Sequence, residues 1–158
     1  MRTGLFFISP LMAVAFFISQ SQIIASNAEA QFVSAADRLS IEQPRYSGEW
    51  KGNDISVEYR YSKADGQMDL SGNVQFSFPL VMGYTNLLDF RLGAILLDKD
   101  GRVLREVGLV ANRGTLDPFS FSRSINLPQN AVFMAFTYQG DVAEAYRNTT
   151  SIWFSPVH

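Results

Sequence analysis

From Pro44 onward, apolar and polar residues alternate along the chain with a period of two. Ile55, Val57, Tyr59 and Tyr61 are interleaved with Asp54, Ser56, Glu58 and Arg60. Successive side chains of an extended chain point to opposite faces, so this stretch predicts a strand with one dry and one wet face. Ala64-Asp65-Gly66 follows as a turn signal, with glycine free to take a positive φ. The pattern then repeats: Met68, Leu70, Val74, Phe76 and Phe78 fall on one face with Gly72 in their register. Gln67, Asp69, Ser71, Asn73, Gln75 and Ser77 fall on the other. These two strands predict a hairpin.

Pro79 to Asn86 reads as a connection, broken by Pro79 and Gly83. Leu87 to Leu97 is nearly all apolar, which predicts a strand covered on both faces or central in its sheet. Asp98-Lys99-Asp100-Gly101 turns the chain, Arg102 to Val110 returns it, and Ala111 to Asp117 reads as a polar loop. Phe119, Phe121, Ile125 and Leu127 alternate with serines and Asn126; Pro128-Gln129-Asn130 makes the next turn. Val132, Met134, Phe136 and Tyr138 form an apolar face. Gly140 to Thr149 is polar, with room for a helical turn at Val142 to Tyr146, and Ile152-Trp153-Phe154 is a last short strand, with Trp153 read as core or edge packing. Seven or eight short strands and no long helix predict an all-β chain: a single antiparallel β-sandwich over residues 45–158.

The rival for such a chain is an outer-membrane barrel, which wants uniform strands of about 9–11 residues, apolar on the lipid side. Here Glu, Asp, Arg and Gln stand mid-strand on the wet faces, and the strands differ in burial. The sandwich fits better.

The first thirty residues follow a different rule. Arg2 precedes an apolar run from Leu5 to Ile18, broken only by Ser9-Pro10, and Ala28-Glu29-Ala30 supplies a small-x-small site. That is the layout of a secretory signal, cleaved after Ala30. The run is shorter than the ~20 residues of a spanning helix. Cleavage and a mature form that does not span the membrane are expected, with a periplasmic or secreted location. Gln31 to Pro44 reads as a leader segment, with a short helical turn at Ala35 to Leu39.

Composition narrows the chemistry. Hydrophobic residues make up 47% and charged residues 18% of the 158, too apolar for a disordered tail. A net charge of −2 offers no footprint for nucleic acid. With no cysteine, thiol nucleophiles, disulfides and thiolate metal sites are excluded. The one histidine, His158, leaves a Ser-His-acid triad and a histidine metal site without a credible member. In a helix-loop-helix calcium motif with Gly101 in the sixth place, Leu96 and Val107 would stand where ligands belong, so Asp98 to Gly101 reads as a turn. A carboxylate pair of the glycosidase kind remains, but the acidic residues sit at turns and on wet faces. No catalytic residues, metal or cofactor are expected. The Asn148-Thr149-Thr150 sequon reads as a chance occurrence.

The aromatic residues carry the remaining signal. Trp50, between Gly48 and Gly52, either stacks on a sugar ring from the surface or plugs the open end of the sandwich, and the plug is the better reading on the usual burial of tryptophan. Tyr46 and Tyr84 are the companion surface candidates.

Gly72-Asn73-Val74, then Phe90 to Leu97, Asp98 to Gly101 and Val103, resemble the FxLYD-type domains of exported bacterial proteins. Ile125-Asn126-Leu127-Pro128 before Val132-Phe133 is similar to the later part of that pattern. The resemblance covers about a third of the chain and departs at Leu97, where tyrosine is usual. It implies an immunoglobulin-like sandwich outside the cytoplasm, with no catalytic residues to carry over. The expected function is a non-enzymatic module that binds another envelope or extracellular protein, by strand addition at a sheet edge. The alternatives are glycan binding through Trp50, Tyr46 and Tyr84, and, third, a carboxylate glycosidase.

Overall fold

The computed structural model describes residues 30–144 and 148–158. The signal peptide expected over residues 1–30 lies outside these, apart from Ala30. Among the described residues there are nine strands: β1 (Leu39–Ser40), β2 (Arg45–Lys51), β3 (Ile55–Ala64), β4 (Gln67–Phe76), β5 (Asn86–Leu97), β6 (Val103–Gly114), β7 (Phe119–Asn126), β8 (Phe133–Glu144) and β9 (Asn148–Phe154). One helix, α1 (Phe78–Gly83), joins β4 to β5. β2, β3, β4 and β7 form one antiparallel sheet in that order. β1, β8, β5 and β6 form the other, with β9 also pairing β8. The chain crosses between layers after β1, β4, β6 and β7.

The alternation read from the sequence sets the register. In the β3–β4 hairpin Val57 faces Val74 and Tyr61 faces Leu70, and all four are buried. Asp65 (φ 52) and Gly66 (φ 77) take the positive φ values that the two-residue turn demands. On β5, Leu92, Ala94 and Leu96 point into the core between the sheets, with Phe136 and Met134 of β8. Ile95 and Leu97 point the other way, into a second cluster with Ala135. β5 therefore is covered on both faces, and it is central as well, between β8 and β6.

The cover on that outer face comes from residues read as a leader. Val33 is fully buried in the second cluster, with Val103, Phe133 and Val157 packed around it. Phe32 and His158 exchange backbone hydrogen bonds (3.4 and 3.0 Å), and the Val103 amide donates to the Gln31 carbonyl (2.9 Å). Arg38 donates from Nε and Nη2 to the Val33 carbonyl (3.0 and 2.8 Å), and its guanidinium fills the space beside Gly101. Ala35–Asp37 forms the expected short turn, while Leu39 and Ser40 pair with Met134 and Phe133. The segment from residue 31 to 44 is thus stitched into the sandwich.

Three other readings change. Phe78 continues the dry-face alternation of β4 on paper, but Pro79 cannot donate to a ladder and sits at the start of a helical turn. β4 stops at Phe76, and Phe78 is turned out to 76% exposure. β6 runs on through Gly114, into the stretch read as a loop. Val142 to Glu144, read as the start of a helical turn, belongs to β8, and the rest of that turn lies outside the described residues.

Candidate functional site

The three aromatic candidates do not converge. Trp50 sits on the inward face of β2, 8% exposed. Its ring lies 5.4 Å from Phe136 and from Phe154, and 6.2 Å edge-on from Tyr138, centroid to centroid. These contacts close the gap between β2 of one sheet and β9 of the other. A ring so enclosed has no face left for a sugar, so Trp50 takes the plugging place and not the surface one; Gly52 makes room for it, since a Cβ there would meet the indole at 2.8 Å.

Tyr46 points the same way as Trp50 but near the other end of β2. It is 44% exposed and leans on Tyr59 and Tyr61 (6.0 and 6.1 Å). Tyr84 caps α1, its amide bonded to the Leu80 carbonyl (2.9 Å), and its hydroxyl shares a 2.7 Å hydrogen bond with Thr150 Oγ1. Tyr46 and Tyr84 lie at opposite ends of the sandwich.

The acid–base inventory is quiet. Burial pushes the Tyr59 phenol up to about 12, helped by the neighbouring Tyr46 and Tyr61, and burial also raises Tyr61. Tyr138 is raised further, first by burial and then by its hydrogen bond to Asp54 (Oη to Oδ2, 2.7 Å). Phenols held neutral inside a core are structural. Asp98 is held below the usual carboxylate range, chiefly by the Arg102 amide, with the Asp100 amide adding to it. Its Oδ1 accepts from both amides at 2.9 Å, while Gly101 takes φ +85. The residues that faintly resemble a calcium loop spend their carboxylate on their own turn. Among the described residues no group of three His, Asp or Glu side chains is placed to hold a metal ion.

Glu49 and Glu58 stand directly opposite each other on the outer face of β2 and β3, and Lys51 pairs with Glu49 at 3.2 Å. They line a broad, open depression with Asn73, Ser120 and Arg60, on a flat face open to water. Solvated carboxylates on an exposed strand face account for this pair.

Two features stand out that the sequence did not signal. The first is α1. Leu80 anchors it in the core, while Phe78, Val81 and Met82, at the i, i+3 and i+4 positions of one helical face, are 76%, 47% and 71% exposed. This apolar knuckle stands at the end of the sandwich opposite to Gln31 to Val33, one full length of β5 away, roughly 40 Å. The second is Trp153 on β9, 69% exposed. Ile152-Trp153-Phe154 is three apolar residues in a row, and a strand can turn only alternate ones inward. Ile152 and Phe154 take the inner positions, so Trp153 faces water.

Compared with known protein families and with curated proteins, the chain matches none.

Proposed function

We propose that the chain is an exported module that acts by binding another protein through the α1 knuckle, and that it has no catalytic role. The observation that carries this reading is the outward face of Phe78, Val81 and Met82. Apolar side chains grouped on one projecting turn are costly to leave in water, and they commonly mark a contact surface. Strand addition, the other route to a partner, has weaker support. β6 is bulged against β5 at three places, and β2 carries Arg45, Glu49 and Lys51 along its free edge; both devices blunt an edge. A lipid surface is the poorer fit, because a chain of net charge −2 has no overall electrostatic attraction to an anionic membrane.

Export rests on the N-terminal signal pattern, and the FxLYD-type resemblance accords with a place outside the cytoplasm. Sequencing the N-terminus of the exported protein should begin at Gln31. The partner proposal is tested by capture from envelope extract with the wild-type protein and a Phe78→Ser/Met82→Ser variant of equal thermal stability. Saturable capture that drops at least tenfold in the variant is expected. A lone monomer in extract, or capture indifferent to the two substitutions, overturns the reading.

A further inference from the structure

The geometry points to a shallow saccharide-binding trough on the outer face of the second sheet, with Trp153 as its stacking platform. It lies on a different surface from the α1 knuckle and is independent of it. Two same-face rows of side chains run here across neighbouring strands of the β9, β8, β5, β6 sheet. One wall is the row Trp153, Gln139, Arg91, set by the pairings Gln139↔Trp153 and Arg91↔Gln139. The floor is the next row, Thr137, Gly93 and Gly108, again direct neighbours in register. Glu106 and Ser155 border the far side. The space so enclosed is about 370 Å³, within the range of small-ligand sites.

The depth comes from the glycines. At Gly93 an added Cβ would come 3.0 Å from Thr137 Cγ2, so its hydrogen side chain is accounted for by packing. At Gly108 an added Cβ would meet nothing within 4 Å. Glycine in a strand interior costs stability and packs nothing, so at Gly108 its effect is to leave the floor open.

The chemistry of the walls selects the ligand class. A single exposed indole supplies one flat apolar face, and around it stand groups with fixed hydrogen-bonding planes: the Arg91 guanidinium, the Gln139 amide and the Glu106 carboxylate, with the Ser155 hydroxyl. A pyranose ring has the matching character, one face of C–H groups and a rim of hydroxyls that both donate and accept. A protein partner would instead be met by an aromatic anchor ringed with further apolar contacts, which this wall does not offer. Arg91 is already paired with Asp89 at 3.4 Å, which leaves the Glu106 carboxylate as the trough's remaining charge, so it suits an uncharged glycan better than an acidic one.

Isothermal titration calorimetry on the protein as purified from the expressing cell, with chito-, cello-, malto- and xylo-oligosaccharides as probes, tests this directly. At least one probe should bind saturably. Trp153→Ala and Gly108→Val should each weaken that probe at least tenfold without lowering the thermal midpoint, and Phe78→Ser should leave it unchanged. No saturable heat with any of the four probes overturns the proposal, as does binding that survives both trough variants. A monomer–dimer equilibrium that Trp153→Ala abolishes would also overturn it, by showing that a second copy covers the ring.

Discussion

Trp50 and Trp153 lie on strands that flank the same side of the sandwich, yet one is sealed and the other faces water. Trp50 enters from β2 and spans the gap to Phe154, the residue next to Trp153. Trp153, one position away, is on the opposite side of the β9 ribbon. Residue type does not separate them; strand parity does. The inner ring holds two sheets together, and the outer one, contributing little to that closure, is free for a task of its own.

The sharpest way to break this contrast is to remove the inner ring. Trp50→Ala should cost about 3–5 kcal/mol in urea unfolding, the usual range for deleting a large core aromatic. A loss below about 1 kcal/mol would mean that the gap between β2 and β9 closes without it. The two faces should also differ in their tolerance of a side chain at glycine. In β4, a Cβ at Gly72 would run into the Glu58 carbonyl oxygen and the Phe121 ring. Gly72→Val should therefore cost about 1–3 kcal/mol, whereas Gly108→Val should be neutral or stabilising by up to about 1 kcal/mol. Equal losses at the two sites would show that the outer trough is filled.

The inner face should also announce itself at high pH. The folded protein holds the Tyr59 phenol up to about 12, above the value near 10 of an unfolded tyrosine. The unfolded chain gives up that proton first. The stabilisation is therefore complete below about pH 10 and is lost as pH rises through about 12. Urea midpoints across that window, read beside phenolate absorbance, check the sign; a flat stability profile would contradict it. Tyr138→Phe, which strips Asp54 of its hydroxyl donor, should cost about 1 kcal/mol. Smallest of all, Trp153→Ala should move stability by no more than about 0.5 kcal/mol, as exposed substitutions do.

What could be read from the sequence follows the same division. β3 and β4 were legible because each is half-buried and pairs with its neighbour across a short turn, so alternation alone fixes face and register. β5 was legible as a strand covered twice. What covers it was not, because Val33 and Val157 come from opposite ends of the chain and join only through long-range pairing. β1 and β2 were missed for a related reason: one has two residues, and the other buries little besides Trp50. Phe78 misled by keeping the rhythm of β4 past the point where Pro79 breaks the ladder. Parity sets Trp153 on the face opposite to Ile152 and Phe154; which face goes inward is settled by the pairing of Gln139 with Trp153, which no local pattern contains.

The mutual amide bonds between Phe32 and His158 have a practical corollary. They bring the first described residues and His158 to one pole, with the knuckle at the other. In a chain that starts at Gln31, a bead, a chip or a fluorescent fusion attached at either end would therefore hang from the same pole and leave Phe78 and Met82 equally accessible. Partner capture should not depend on which terminus carries the tether.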